Sequence, residues 1–181
     1  MKMPNFLDYL FGLLISTLVF FIVLAVILFG VESNVNSDIK HKASKFVNES
    51  CVSGKIDADG FLDFTRSIHK YGNYDIEISV DKVRAYPATD QNGNKRIRTG
   101  EDTYSTDQIM DAMYPKSYKK DGQWVNPQYQ DYTLNAGDSI TVTVVRKRSI
   151  TSGVYRVFFN GSNANTVITR YNNVVGYSYG M

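Results

Sequence analysis

The sequence predicts an α+β fold in which a long N-terminal helix lies on a small, mainly antiparallel sheet. Three patterns carry that reading. An apolar run from Tyr9 to Val31 passes into a stretch with an apolar residue at every fourth position as far as Val47. Strict alternation follows from Tyr74 to Asp81, and a Gly137-Asp138 turn feeds the alternating set Ile140, Val142 and Val144. A period near four marks one face of a helix, and a period of two marks a strand with one buried face.

The N-terminal run is the first element. Between Tyr9 and Val31 only Gly12, Ser16, Thr17 and Gly30 interrupt the apolar residues. At about 1.5 Å per residue this stretch spans roughly 34 Å, enough for a hydrocarbon core of ~30 Å. A core helix in so small a protein would carry a polar side. A cleaved export signal has an apolar core of about 7–15 residues and a small-x-small cleavage site. The run is longer than that, and "ILFGVES" offers no such site. A retained membrane anchor is the expectation.

The helix is expected to continue. Val31, Val35, Ile39, Ala43 and Val47, with Phe46 beside them, form a narrow stripe, and no proline or glycine intervenes before Cys51. One helix from about Phe6 to about Ser50 would be near 68 Å long. Next, "SGKIDADGFLDFTRSIHKYGN" reads as a second helix capped by Asp57 or Asp59, with Phe61, Phe64, Ile68 and Tyr71 at helical spacing and Gly72-Asn73 as its stop. The Tyr74–Val83 strand follows, placing Tyr74, Ile76, Ile78 and Val80 inward, and Pro87 is expected to end it.

From Ala88 to about Gln130 the chain reads as loop with one short helix. Ser105 and Gln108 have capping-box spacing, and Ile109, Met110 and Met113 supply its buried side. The Ile140–Val144 strand comes next, then a short helix-like segment capped at Ser149 with Val154, Val157 and Phe158 apolar, then a last strand around Val167 to Tyr171. Residues 1–50 thus read as transmembrane helix and stalk, and 51–181 as an α+β head with a loop-rich insertion near 87–132.

At 181 residues there is room for one modest domain plus a tail, and a net charge of +2 names no acidic partner. Cys51 is the one cysteine, which excludes an intramolecular disulfide and a cysteine metal cluster. Lys2 stands before the apolar run, whereas Lys40, Lys42 and Lys45 follow it. Counted alone, these charges would keep the head in the cytoplasm.

Four stretches together resemble the TadE-like minor pilins, of the tight-adherence, type IV pilus-related kind, in the variants of Gram-positive bacteria and their mobile elements. They are "FLDYLFGLLIS", "KFVNESCVSGKIDADGFLDFTRSIHKYGNYDIEISV", "LNAGDSITVTVV" and "VYRVFFNGSNANTVITRYNNVVGY". The likeness covers most of the chain outside Pro87 to Tyr132 and consists of hydrophobic and turn patterns. It implies a pilin-like fold, an extracytoplasmic head (opposite to the charge count) and assembly through the Tyr9–Val31 helix. Asp8, at the opening of that helix, resembles in kind the acid of type IV pilins. It would either pair with a cation such as a neighbouring chain's N-terminal amine or mark the membrane edge. Asp8, Phe11, Leu14, Phe20 and Leu24 are the candidate assembly residues. No glycine precedes the Phe6 region as a prepilin leader would have.

Other chemistry is sparse. In "DQNGNKRIRTGE", Asp90, Asn92, Asn94, Ile97 and Glu101 stand at positions 1, 3, 5, 8 and 12 of a calcium loop. The glycine required at position 6 is Lys95, and Lys95, Arg96 and Arg98 oppose a cation; an Asn-Gly turn explains the same letters. His41 and His69 read as surface residues, Cys51 as a small buried one, and Arg146–Ser149 and Lys95–Arg98 as solvated basic clusters. Hydrolase, metalloprotease and phosphate-loop motifs are absent from the sequence, so neither an enzyme, a cofactor nor a nucleic-acid partner is expected. The expected partners are the membrane and other pilin-like subunits or assembly-platform proteins, in a homo- or hetero-oligomer. The alternative is a single-pass accessory protein that docks through its head in a secretion or conjugation machine; a weaker third reading is a calcium-gated module through Asp90–Glu101.

Overall fold

The computed structural model describes residues 6–89, 95–121, 123–147 and 166–176, with side chains at all of these except 7, 8, 85–89, 95–98 and 166. The first element, α1, is a single helix over Phe6–Ser53. It is three residues longer than the sequence suggests, and Gly54, in the left-handed region at φ 66°, is where it ends. Contacts divide the chain into two compact units, with the boundary inside α1 between Ser37 and Asp38.

In the first unit α1 is apolar on every side. It contains one stretch long and apolar enough to cross a membrane, close to the N-terminus, and none of that window is buried. In the second unit the same helix becomes one-sided. Ile39, Ala43 and Val47 are fully buried and Phe46 nearly so. Lys40, His41, Lys45 and Glu49 fill the exposed side. This is the four-residue stripe of the sequence, now covered.

Helix α2 (Ala58–His69) closes over that stripe. Asp57 caps it, Oδ2 accepting from the Gly60 N–H at 2.6 Å. Phe61, Phe64 and Ile68 are its buried residues, and the Phe46 ring stacks on Phe64 at 4.6 Å between centroids. The other wall of the core is a four-stranded antiparallel sheet in the order β3-β2-β7-β8: β2 is Tyr74–Thr89, β3 Lys95–Tyr104, β7 Ser139–Arg146 and β8 Thr166–Val174. Ile78, Val80, Ile140, Val142 and Val144 are buried to 1% exposure or less. Because strand side chains alternate, Glu77, Thr143 and Arg170 share the opposite, wetter face in one cross-strand row. Asn48 of α1 anchors β8, its Oδ1 accepting from Asn173 Nδ2 at 2.8 Å and from the Tyr171 hydroxyl at 3.3 Å.

Two small ladders complete the second unit. β1 (Lys55–Ile56) pairs with β6 (Tyr132–Thr133), and β4 (Tyr118–Lys120) with β5 (Gln123–Val125). Helix α3 (Thr106–Met113) follows β3 and buries Ile109 and Met113, while Met110 stays half-buried. Its capping box forms as the spacing predicts, with the Ser105 N–H donating to Gln108 Oε1 at 2.9 Å.

Three sequence expectations need correction. Pro87 does not end the second-unit strand: β2 continues to Thr89, and Pro87 lies opposite Ile97 of β3. The reason is that β7 pairs β2 only from Tyr74 to Asp81. Beyond Asp81 one edge of β2 is open, and a residue with no N–H costs no ladder bond on an open edge. Second, the stretch from Ala88 to Gln130 is not mainly loop but contains the end of β2, β3, α3, β4 and β5. Third, the calcium spacing is not realised as a loop. Lys95 to Glu101 run extended in β3, which at about 3.3 Å per residue carries Glu101 roughly 20 Å along the strand. Glu101 sits opposite Val83 on the ladder; Asp90, Asn92 and Asn94 lie outside the described residues, as does the helix-like segment expected from Ser149.

Candidate functional site

The strongest candidate surface is the apolar half of α1. Of the expected assembly residues, Phe11, Leu14 and Phe20 are all more than 60% exposed, and Leu24 is 37% exposed. Asp8 falls in the first turn of the helix; its side chain lies outside the described residues. These positions do not form one stripe. At about 100° per residue, Phe11 and Leu14 lie within ~60° of each other and Phe20 and Leu24 within ~40°, the centres of the two pairs are ~130° apart, and the four positions spread over about half the helix circumference. The surface can therefore be covered only from several sides at once, by lipid or by more than one helix.

Its polar interruptions are handled locally. The Thr17 hydroxyl donates to the Leu13 carbonyl at 2.8 Å, so it carries no unsatisfied hydrogen into an apolar medium. Gly12 has open space where a Cβ would stand, and Ser16 is one turn along. Small residues four apart let a second helix approach closely. Fully burying each large apolar side chain is worth about 1.5–3 kcal/mol, so a surface with this many of them does not stay bare in water.

The second unit offers polar devices rather than a catalytic constellation. Where α1 enters it, Asp38 Oδ2 meets Lys42 Nζ at 2.6 Å and accepts from the Tyr71 hydroxyl, also at 2.6 Å. These two hydrogen bonds, Lys42 first, hold the Asp38 carboxyl below the usual carboxylate range. Where α1 leaves, Asp131 accepts from Lys55 at 2.6 Å and from the Ala58 N–H at 3.1 Å, and its carboxyl is likewise lowered, chiefly by Lys55. The two bridges fix the ends of the α1 segment against α2 and the β1–β6 ladder.

Asp138 is the buried carboxylate of the unit, 1% exposed. It staples the turn before β7, accepting from the Asn135 N–H at 2.8 Å and the Val83 N–H at 3.3 Å. Gly137 beside it has φ 92°, which explains the glycine there. Thr106, at the start of α3, caps β2 on the edge that β3 pairs only from Val80 onward: its hydroxyl accepts from the Ile78 N–H at 2.8 Å and donates to the Ile78 carbonyl at 2.9 Å.

Other candidates resolve simply. His41 is exposed, and His69 contacts the Tyr74 carbonyl through Nε2 at 3.0 Å. Cys51 is 7% exposed and burial pushes its thiol up, which disfavours the reactive thiolate. Among the described residues no group of three His, Cys, Asp or Glu could hold a metal ion.

Sequence reasoning missed the β4–β5 hairpin. Its Asp121-Gly122 step is a two-residue hairpin signal, and Asp121 has φ 51°. Trp124 on β5 is 71% exposed, opposite Lys119. Compared with protein-family models, curated proteins and solved structures, the chain matches none of them.

Proposed function

We propose that the chain is a non-enzymatic structural subunit of minor-pilin type, belonging to a pilus or secretion apparatus. It is held in the membrane, and assembled, through the apolar half of α1. The second unit is then the extracytoplasmic head. The observation that carries the reading is the change of character within one unbroken helix: apolar and uncovered on all sides through Val31, then one-sided and buried from Ile39 to Val47. A helix of that kind needs an apolar surrounding for its first part, which lipid or a bundle of like helices supplies almost equally. Exchange between the two is thus cheap, and specific pairing decides it.

Asp8 is the residue assigned to that pairing. Asp8→Ala is expected to abolish recovery of the protein in sheared surface material while leaving its membrane-bound amount unchanged, within about twofold. The experiment is mass spectrometry of the protein's N-terminus in sheared material and in washed membranes. A shortened or methylated N-terminus in the sheared fraction supports the subunit. An intact Met1 confined to membranes, with Asp8→Ala silent, refutes it and favours a permanently anchored docking protein.

A further inference from the structure

We propose that the end of the second unit built by β4, β5 and the turn after α3 binds an acidic polysaccharide. The first observation is two exposed aromatic rings, Trp124 at 71% on β5 and Tyr129 at 63% on the segment that follows it; Tyr118, 52% exposed, pairs with Val125 and so faces the other side of the ladder from Trp124. Rings of this size normally bury most of their area. Here Trp124 and Tyr118 make no hydrogen bond or ring contact among the described residues, so the fold does not need them where they are.

The second observation is the groove at the foot of the hairpin, of about 540 Å³, whose walls include Tyr114, Lys116, Ser117, Asn126, Gln128 and Tyr129. Its walls are held in place. The Tyr114 hydroxyl donates to the Ala58 carbonyl at 2.6 Å, the Tyr129 ring stands edge-on to Tyr114 at 4.9 Å, and Gln130 Nε2 donates to the Ala112 carbonyl at 2.8 Å. Ser117 Oγ donates to Asn126 Oδ1 at 2.6 Å, leaving the Asn126 amide hydrogens for an outside acceptor. A preformed groove saves the ordering cost of binding.

The chemistry of these groups selects the ligand. The C–H face of a sugar ring stacks on an exposed aromatic ring, and its hydroxyls exchange hydrogen bonds with amides and a serine. Lys119, opposite Trp124 on the same face of the ladder, has no acidic partner among the described residues, so it can meet a carboxylate or phosphate on the chain as a point charge. Lys116 is already paired with Asp111 at 3.3 Å. One open lysine on that face is too few for a nucleic acid, whose affinity rests on many phosphate contacts. The amides and serine around the rings suit hydroxyls better than they suit lipid. All of this lies in the second unit, so it holds whether or not the chain assembles into a filament.

The test uses the full chain in phosphatidylcholine nanodiscs and the fluorescence of Trp124, the one tryptophan in the sequence. The probes are polygalacturonate, phosphorylated dextran, neutral dextran, polyglutamate and single-stranded DNA. A saturable change with at least one acidic polysaccharide is expected, with neutral dextran and the two sugar-free or nucleic polyanions at least tenfold weaker. Tyr129→Ala and Lys119→Glu should each weaken it about fivefold to tenfold, in protein whose near-ultraviolet circular dichroism is unchanged. The proposal is overturned by the absence of a saturable change, or by polyglutamate or DNA equalling the polysaccharides with Tyr129→Ala silent. A change that appears only when anionic lipid enters the disc overturns it equally, in favour of a lipid surface.

Discussion

The two parts of α1 are the same backbone element with opposite solvent requirements. Before Ser37 the helix presents Phe11, Leu14, Phe20 and Ile27 to the outside, each more than half exposed. After Asp38 it hides Ile39, Ala43 and Val47 completely and shows lysines and a glutamate. Helical hydrogen bonding is identical in both, so backbone geometry does not distinguish them. What differs is the width of the apolar arc: all round the first part, a narrow stripe on the second. A full apolar circumference cannot be covered by one sheet, whereas a stripe can. The first part therefore relies on what surrounds it, and the second brings its own cover.

The largest test of that contrast places one charge in each part. Val47→Asp buries a carboxylate with no partner, at a cost of several kcal/mol, and is expected to unfold the second unit in urea titrations followed by circular dichroism. Phe20→Asp should leave that unit's unfolding midpoint unchanged while lowering retention in carbonate-washed membranes, because a central aspartate costs about 3 kcal/mol of insertion. Equal damage to folding from both would erase the distinction.

A milder pair sharpens it. Ile140→Ala removes a fully buried side chain and should destabilise the second unit by about 2–5 kcal/mol. Leu14→Ala should shift the same midpoint by no more than about 0.5 kcal/mol. Below the Ile140→Ala effect comes Thr106→Val, which takes both hydrogen bonds from Ile78 and should cost about 1–3 kcal/mol; Thr106→Ser keeps the hydroxyl and should recover most of that. Recovery failing with serine would mean that packing, not the hydroxyl, closes the edge of β2.

Among the described residues, the groups with shifted titration all lie in the second unit. Tyr114 and Tyr132 are pushed up to about 12, burial being the main cause for both. A raised value in the folded state means stability fully present below the unfolded value near 10 and lost as pH rises toward 12. Asp38 and Asp131 are lowered, so their share is present above about pH 4 and fades as pH falls further. Both bridges are largely exposed, which keeps the acid effect small. The unfolding midpoint should fall mainly between pH 10 and 12, with ultraviolet titration showing two late-ionising tyrosines.

Much of the second unit was legible because its signals are local. The Asp57 cap, the Ser105–Gln108 box and the alternation at Ile78, Val80, Ile140, Val142 and Val144 each need only a few neighbouring residues to be recognised. The long β2–β3 ribbon was not. Pro87 is a strand-breaker by local rules, and its tolerance depends on β7 ending its pairing at Asp81, a fact about another part of the chain. The β4–β5 hairpin was missed although Asp121-Gly122 announces it, because strands of three residues carry too short an alternation to register. Phe11, Leu14, Phe20 and Leu24 were legible as members of the apolar run and are exposed, spread over about half the helix circumference.

By itself the sequence determined where the chain is helical, which run is too apolar for a water-facing surface, and which residues the sheet and helices bury. Those follow from periodicity and caps, which act within a turn or two of the chain. Tertiary structure alone decided that β2 runs past its proline, that Tyr71 meets Asp38 and Lys42, and that Tyr114 and Tyr129 wall one groove. Each depends on contacts between residues far apart in sequence, whose partners no local pattern can name.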